Sequence, residues 1–245
     1  MNRGKESVEG VYGTGEGRAL RGEDGLVLLV DAGFPHLRTA CLFAGGVRSE
    51  RTAEARAEDQ LAKLVEETLS AAGKEIKDVD TFLYQAGPGS LLGLRIAAMM
   101  IETWVQVRKS IGEALPQRRF YHHFALLGEA LGKAYPSEDL LLCSDARRKS
   151  WNVFRQPAGP TAGEWGLWEG EAIGRFTGRR FLVTDYGLTQ DLPEGVEPLP
   201  EAFREPPLEV LWEKPLTGSL RNCRPALLRE AKYLPWTGKA RVKGS

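Results

Sequence analysis

Residues 80–110 read DTFLYQAGPGSLLGLRIAAMMIETWVQVRKS, and the order of elements within them decides the fold. Residues 80–85, with Phe82, Leu83 and Tyr84 at their centre, read as a strand. Gly87, Pro88 and Gly89 then make a turn that cannot be helical, and Ser90 stands where a side-chain oxygen caps the helix that runs to Lys109. A strand, a glycine-rich turn and a long helix in direct succession point to an α/β architecture.

The segments before this stretch fit the same plan. LVLLVD at 26–31 is a continuous apolar run ending in an acid, the pattern of a first strand buried on both faces. RTACLFAGGVRSER at 38–51 reads as two short strands about Ala44, Gly45 and Gly46, so the chain opens with three antiparallel strands. EDQLAKLVEETLSAAG spaces Leu61, Leu64, Val65, Thr68, Leu69 and Ala72 three or four apart and stops at Gly73, which predicts an amphipathic helix over 58–72.

Beyond residue 110, QRRFYHHF reads as a fifth strand and ALLGEALGKAY as a third helix. LLLCSDARRKSWNVFRQ reads as a strand, a basic turn and a second strand over 140–156. The segment around Trp165 and Trp168 reads as loop, RRFLVTDYG as a strand ending at Asp185, and 192–209 as too proline-rich for regular structure. A last helix is expected over 225–233.

The helix from Leu91 to Lys109 carries more apolar surface than one core face requires. Leu91, Leu94, Ala97, Ala98, Ile101, Trp104 and Val105 spread over a wide arc, and Met99 and Met100 add apolar surface elsewhere. Either its own domain sandwiches it, or one side faces the core and the other a second protein; periodicity alone slightly favours the first.

Composition excludes several function classes. The 245 residues hold 33 Lys plus Arg and 33 Asp plus Glu, so no overall field draws the chain to nucleic acid or an anionic membrane. Three dispersed cysteines, Cys41, Cys143 and Cys223, form neither a disulfide framework nor a zinc site, and point to a reducing cytoplasm. Arg95 and Glu102 interrupt the most hydrophobic stretch, so no membrane span is expected. Residues 1–24 have no apolar region of a signal peptide, and Gly13, Gly15 and Gly17 lack the flanking strand and helix that a phosphate loop needs; a flexible tail is expected there.

Candidate chemistry is sparse. Asp31 closes a strand and starts the pattern Asp31-Ala32-Gly33, but only Asp185-Tyr186-Gly187 offers a partial second copy, so Asp31 is read as capping a loop. His36, His122 and His123 have no metal-ligand spacing, and His122 and His123 are expected at strand ends or on the surface. No catalytic residue, metal or cofactor is expected. Arg95 is read as a structural pair inside the domain or a grip on a carboxylate across an interface. Arg147, Arg148 and Lys149 are read as a solvated basic turn rather than a nucleic-acid contact.

Four segments carry a family resemblance. GPGSLLGLRIA at 87–97 resembles the GPGSFTGLRIG signature of the TsaB (YeaZ) family, and DARRKSWNVFRQ at 145–156 resembles the segment opening that family's second lobe. LVLLVDAG sits where the family's first strand sits, and RPALLRE resembles its terminal motif. The resemblance implies an actin-like ATPase fold built of two ribonuclease-H-like lobes, the second reduced. The lobes would span 25–135 and 136–234, with tails at 1–24 and 235–245. It also implies a scaffold role in making threonylcarbamoyladenosine on tRNA, with a TsaD-like subunit as partner, a TsaE-like ATPase as a possible further member, a homodimer when alone, and tRNA met only indirectly.

On that basis the partner surface is expected at Leu61, Leu64, Val65, Thr68, Leu91, Leu94, Ala98, Ile101, Trp104 and Val105. The family-motif positions are Gly87, Pro88, Gly89, Ser90, Gly93, Arg95, Asp145 and Arg147. The sequence departs from the family where Ala32 and Gly33 replace a Thr-Ser pair, where Leu91 and Leu92 replace Phe-Thr, and at 57–58, where a histidine is lost. A small kinase or ATPase acting alone is the alternative; a metallopeptidase would need ligands that are not seen.

Overall fold

The computed structural model describes residues 18–34, 36–43, 46–159, 163–183, 188 and 190–219. The first apolar run forms β1 (Val27–Asp31), followed by β2 (His36–Phe43) and β3 (Gly46–Glu54), all antiparallel as expected. α1 (Ala57–Ala71) ends at Gly73, whose φ of 66° provides the left-handed stop that a side chain would resist. β4 (Thr81–Gln85) pairs parallel with β1, and α2 (Leu91–Ser110) leads to β5 (Gln117–Tyr121), parallel to β4. The first sheet therefore runs β3-β2-β1-β4-β5 and gains one more strand from the far end of the chain.

After α3 (His123–Ala134) the plan repeats. β6 (Leu140–Asp145), β7 (Ser150–Gln156) and β8 (Glu164–Glu169) are antiparallel, and β9 (Arg179–Leu182) and β10 (Glu197–Pro198) add in parallel on the other side of β6. The order β8-β7-β6-β9-β10 copies β3-β2-β1-β4-β5 position for position. The second lobe is the reduced one: the five residues of α4 (Gly170–Gly174) stand where the first lobe has the fifteen of α1. The two-lobed α/β arrangement expected from the sequence is thus the one observed.

Strand periodicity distributes the core. Leu26, Leu28 and Val30 face α1 and α2, whereas Val27 and Leu29 face the opposite layer with Leu126 of α3 and Leu211 of α5 (Val210–Glu213). In the second sheet Leu140 and Leu142 meet Phe124, Leu127 and Leu131 of α3, while Leu141 and Cys143 pack with Trp151 and Ile173. α3 is therefore built into the cores of both sheets.

Several details differ from the sequence expectations. The segment with Trp165 and Trp168 is an edge strand, β8, because both rings pack on the second lobe's cores: Trp165 on Phe124 and Phe154, Trp168 on Phe176. Within the span expected for the second lobe, residues 208–219 do not stay with it. Leu208, Val210 and Leu211 return to the first lobe's core, and β11 (Thr217–Ser219) pairs with β5. Residues 18–24 are not a free tail either, since Leu20 and Asp24 are buried. The expected helix over 225–233, the RPALLRE segment, Asp185 and the N-terminal glycines lie outside the described residues.

One buried ion pair ties both returning ends to the first sheet. Arg119 on β5 and Asp24 are both fully buried and meet at 3.1 Å. Arg18 Nη1 and the Arg21 amide also donate to the Asp24 carboxylate, at 3.0 and 2.7 Å, and Arg119 donates to the Thr217 hydroxyl on β11. Burial alone raises the carboxyl pKa of Asp24, but the bonds from Arg18 and Arg21 and the charge of Arg119 hold it below its usual value. Removing one member leaves the other charge uncompensated in the interior, so Asp24→Asn is expected to cost about 3–5 kcal/mol, read as a lower urea midpoint at unchanged slope.

Candidate functional site

Two loops interlock at the end of the first sheet nearest the lobe junction. The turn after β4 (Gly87 to Gly89) leads into α2, where the Ser90 hydroxyl accepts from the Gly93 amide at 3.3 Å. The loop after β1, Ala32 and Gly33, crosses directly over this helix start, and the Ser90 amide donates to the Gly33 carbonyl. A Cβ at Gly93 would lie 1.9 Å from the Ala32 carbonyl oxygen, and one at Gly89 2.3 Å from that of Gly33. At Gly33 the reverse applies, because a Cβ would meet the Gln85 side-chain oxygen at 1.7 Å. Gly89 and Gly93 of the motif are thus required by close backbone approach.

Side chains brace the same turn. Gln85 Nε2 donates to the Pro88 carbonyl at 3.0 Å, and His122 Nδ1–H donates to the Gly87 carbonyl at 3.1 Å. His122 and His123 stand at a strand end, one of the two expected positions, and not on the surface; each is 7% exposed, because β5 ends and α3 begins at the junction between lobes. His122 packs edge-on against Phe120 of the first lobe and Trp165 of the second. Burial lowers its pKa to about 4, against a smaller opposing effect from the bond to Gly87.

Asp31, at the end of β1, is held by its own chain as expected for a capping residue. Its carboxylate accepts from the Tyr121 hydroxyl at 2.6 Å and the Gly33 amide at 3.1 Å, with His123 Nδ1 at 3.6 Å. Burial pushes its pKa up, but His123, Tyr121 and Gly33 together bring it below the usual carboxylate value. Among the described residues no group of three or more His, Cys, Asp or Glu side chains is placed to hold a metal.

The expected partner-surface residues divide sharply. Leu61, Leu64, Val65, Thr68, Leu94, Ala98, Ile101 and Val105 are buried in the chain's own lobe, so they form core and not an outer surface. Trp104 is half-buried and stacks on Phe82, and Leu91 lies at the exposed helix start. The outward apolar surface of α2 is made instead by Leu92 (58% exposed), Met99 (69%) and Val107 (53%), and Ile111 (64%) and Leu115 extend it past the helix end. Periodicity found the surplus apolar surface but could not say which side the lobe itself covers. The outward side of α1, packed beside α2, is charged: Glu58, Asp59, Glu66 and Glu67 outnumber Lys63.

Of the remaining motif residues, Arg95 is exposed on α2 and pairs with nothing among the described residues, so the first of its two readings, an internal ion pair, is not seen among them. Asp145 closes the turn after β6 by accepting from the Arg147 amide at 2.6 Å and from Gln190 at 2.7 Å. Arg147, Arg148 and Lys149 are exposed, with φ of 63°, 53° and 63°. Sequence reasoning gave no role to Arg38, although it and His123 reach the cavity between the lobes; the signal available was a paired histidine directly after a strand.

The fold and this junction define an α/β protein of the actin-like two-lobed class. The structure is similar to that of YeaZ from Pseudomonas aeruginosa, with TM-score 0.55 at 16% identity over 77% of this chain and 89% of that one. It is equally similar to an uncharacterized protein with similarity to peptidase YEAZ from Pseudomonas aeruginosa, with TM-score 0.56 at 17% identity over 84% of this chain and all of that one. The family described as TsaD: tRNA N6-adenosine threonylcarbamoyltransferase matches residues 40–110, from within β2 to the end of α2. Comparison with the curated proteins finds no match by sequence.

Two measurements check this account. Gly93→Ala is expected to destabilise by about 2–3 kcal/mol through the collision with Ala32, whereas Gly174→Ala, with open space around it, changes stability by less than about 0.5 kcal/mol in the same thermal melts. His122 is neutral in the folded state down to about pH 4, whereas an unfolded chain takes up that proton near 6.5. Between these values the unfolded state binds more protons, so stability falls as pH falls, by a total on the order of 3 kcal/mol. Urea titrations at stepped pH are expected to show this slope, and His122→Phe to flatten it.

Proposed function

We propose that this chain is a non-catalytic scaffold subunit of the assembly that makes threonylcarbamoyladenosine on tRNA, and that it docks a TsaD-like subunit on the outward face of α2. The observation that carries the proposal is the exposed apolar line of Leu92, Met99, Val107 and Ile111 on a helix whose other side already fills the lobe core. The likeness to the YeaZ fold and the family match over 40–110, which encloses α1 and α2, support it.

The partner surface has a definable chemistry. It presents an apolar groove to α2 and basic side chains to the carboxylates along α1. Without that partner, two copies of the chain cover the same line against each other. A TsaE-like ATPase is a further member of the assembly, and tRNA is met through the assembly rather than by this neutral chain alone. The alternative of a lone ATPase is less well supported, because the carboxylate of Asp31 is engaged by Tyr121 and Gly33.

The test belongs on the exposed residues. Ala98→Arg or Ile101→Glu would put a charge into the lobe core and unfold it, whereas Leu92→Glu with Met99→Glu alters only the outer face. The double variant is expected to keep the parent's melting temperature within a few degrees, to run as a monomer in light scattering, and to lose at least about 100-fold in affinity for the co-expressed TsaD-like chain. Retention of full co-purification by the folded double variant would refute the proposal.

A further inference from the structure

A cavity of about 100 Å³ lies between the lobes beneath the loop after β1. Three polar side chains within it are buried: Asp31, Arg38 and His123, at 3%, 9% and 7% exposure. Arg204, His36 and Glu205 stand nearer solvent, and Phe34, Leu182 and Leu199 supply apolar wall.

The buried donors are not used up by the protein. Arg38 gives Nε to Glu50 and Nη1 to the Pro206 carbonyl at 2.8 Å, which leaves Nη2 without a partner among the described residues. The His123 ring lies against Phe34, with centroids 4.3 Å apart; its buried Nδ1 faces the Asp31 carboxylate at 3.6 Å and has no hydrogen-bond partner within ordinary distance among the described residues. An imidazole more than nine-tenths buried that leaves its hydrogen bonding unmet is costly unless a ligand or water completes it.

We infer that this cavity binds the carboxylate group of a small organic acid, held by Arg38 and His123 with Arg204 at the entrance. The bound carboxylate accepts from Arg38 Nη2 and from His123 Nε2–H, so the ring lies between two carboxylates, the ligand's and that of Asp31. The fixed negative charge of Asp31 selects a monoanion and disfavours a phosphate dianion, which would lie against it. The volume admits a molecule of a few heavy atoms, and the apolar wall suits a short aliphatic tail. This site is independent of the docking face on α2, and its test uses the isolated chain, so either reading can fail without the other.

Propionate is the probe, with acetate, inorganic phosphate and ADP as comparison arms, measured by calorimetry on the purified chain. Saturable propionate binding at millimolar concentration is expected, tighter than acetate and at least about tenfold tighter than phosphate or ADP. The ring nitrogen signals of His123, assigned by their loss in His123→Gln, should shift as propionate is added. His123→Gln and Arg204→Gln should each weaken binding, by about tenfold and about threefold; Arg204 is exposed, so its variant folds even if His123→Gln does not. Absence of saturation, equal or tighter binding of phosphate or ADP, or binding unchanged in folded Arg204→Gln together with unmoved His123 signals would overturn the inference.

Discussion

The structure depends on one close approach, the crossing of the loop after β1 over the start of α2. Backbone meets backbone there with no side chain between, since Gly89 and Gly93 have each given up the Cβ that would collide with the loop, and Gly33 the one that would strike the Gln85 side chain. The Ser90 amide, which helix geometry leaves without an internal acceptor, finds one in the Gly33 carbonyl. A single contact therefore satisfies the helix end, fixes the angle at which α2 leaves the sheet, and places the carboxylate of Asp31 beside Tyr121 and His123. The outward direction of Leu92 and Met99 is a further result of that fixed angle.

Much of the first lobe was legible because its signals are local. Helices expected over 58–72 and 90–109 form at Ala57–Ala71 and Leu91–Ser110, since their spacing, caps and flanking glycines all lie within the segments themselves. The edge strand β8 was not legible. Gly163 and Gly166 resemble loop punctuation, yet both are needed because aromatic rings, of Phe154 and Trp168, occupy the space a Cβ would take. The return of Leu208, Val210 and Leu211 to the first lobe was equally hidden, because nothing in a proline-rich stretch tells which sheet it will rejoin.

The candidate surfaces were half legible for a related reason. Periodicity counts apolar residues around a helix but does not know which neighbours arrive to cover them. Ala98 and Ile101 therefore looked as available as Met99, although the lobe buries the first two and leaves the third open. Contacts that join distant residues, such as Arg119 with Asp24 or His123 with Asp31, carry no sequence spacing that would announce them.

The position of α3 bears on how this molecule can move. Leu126 is committed to one core, while Phe124, Leu127 and Leu131 on the same short helix are committed to the other. Two bodies that share a rod cannot rock about it without tearing apolar contacts on one side or the other. The pair of lobes is thus a clamp whose hinge has been filled in: whatever enters between them does so by local breathing of the loops.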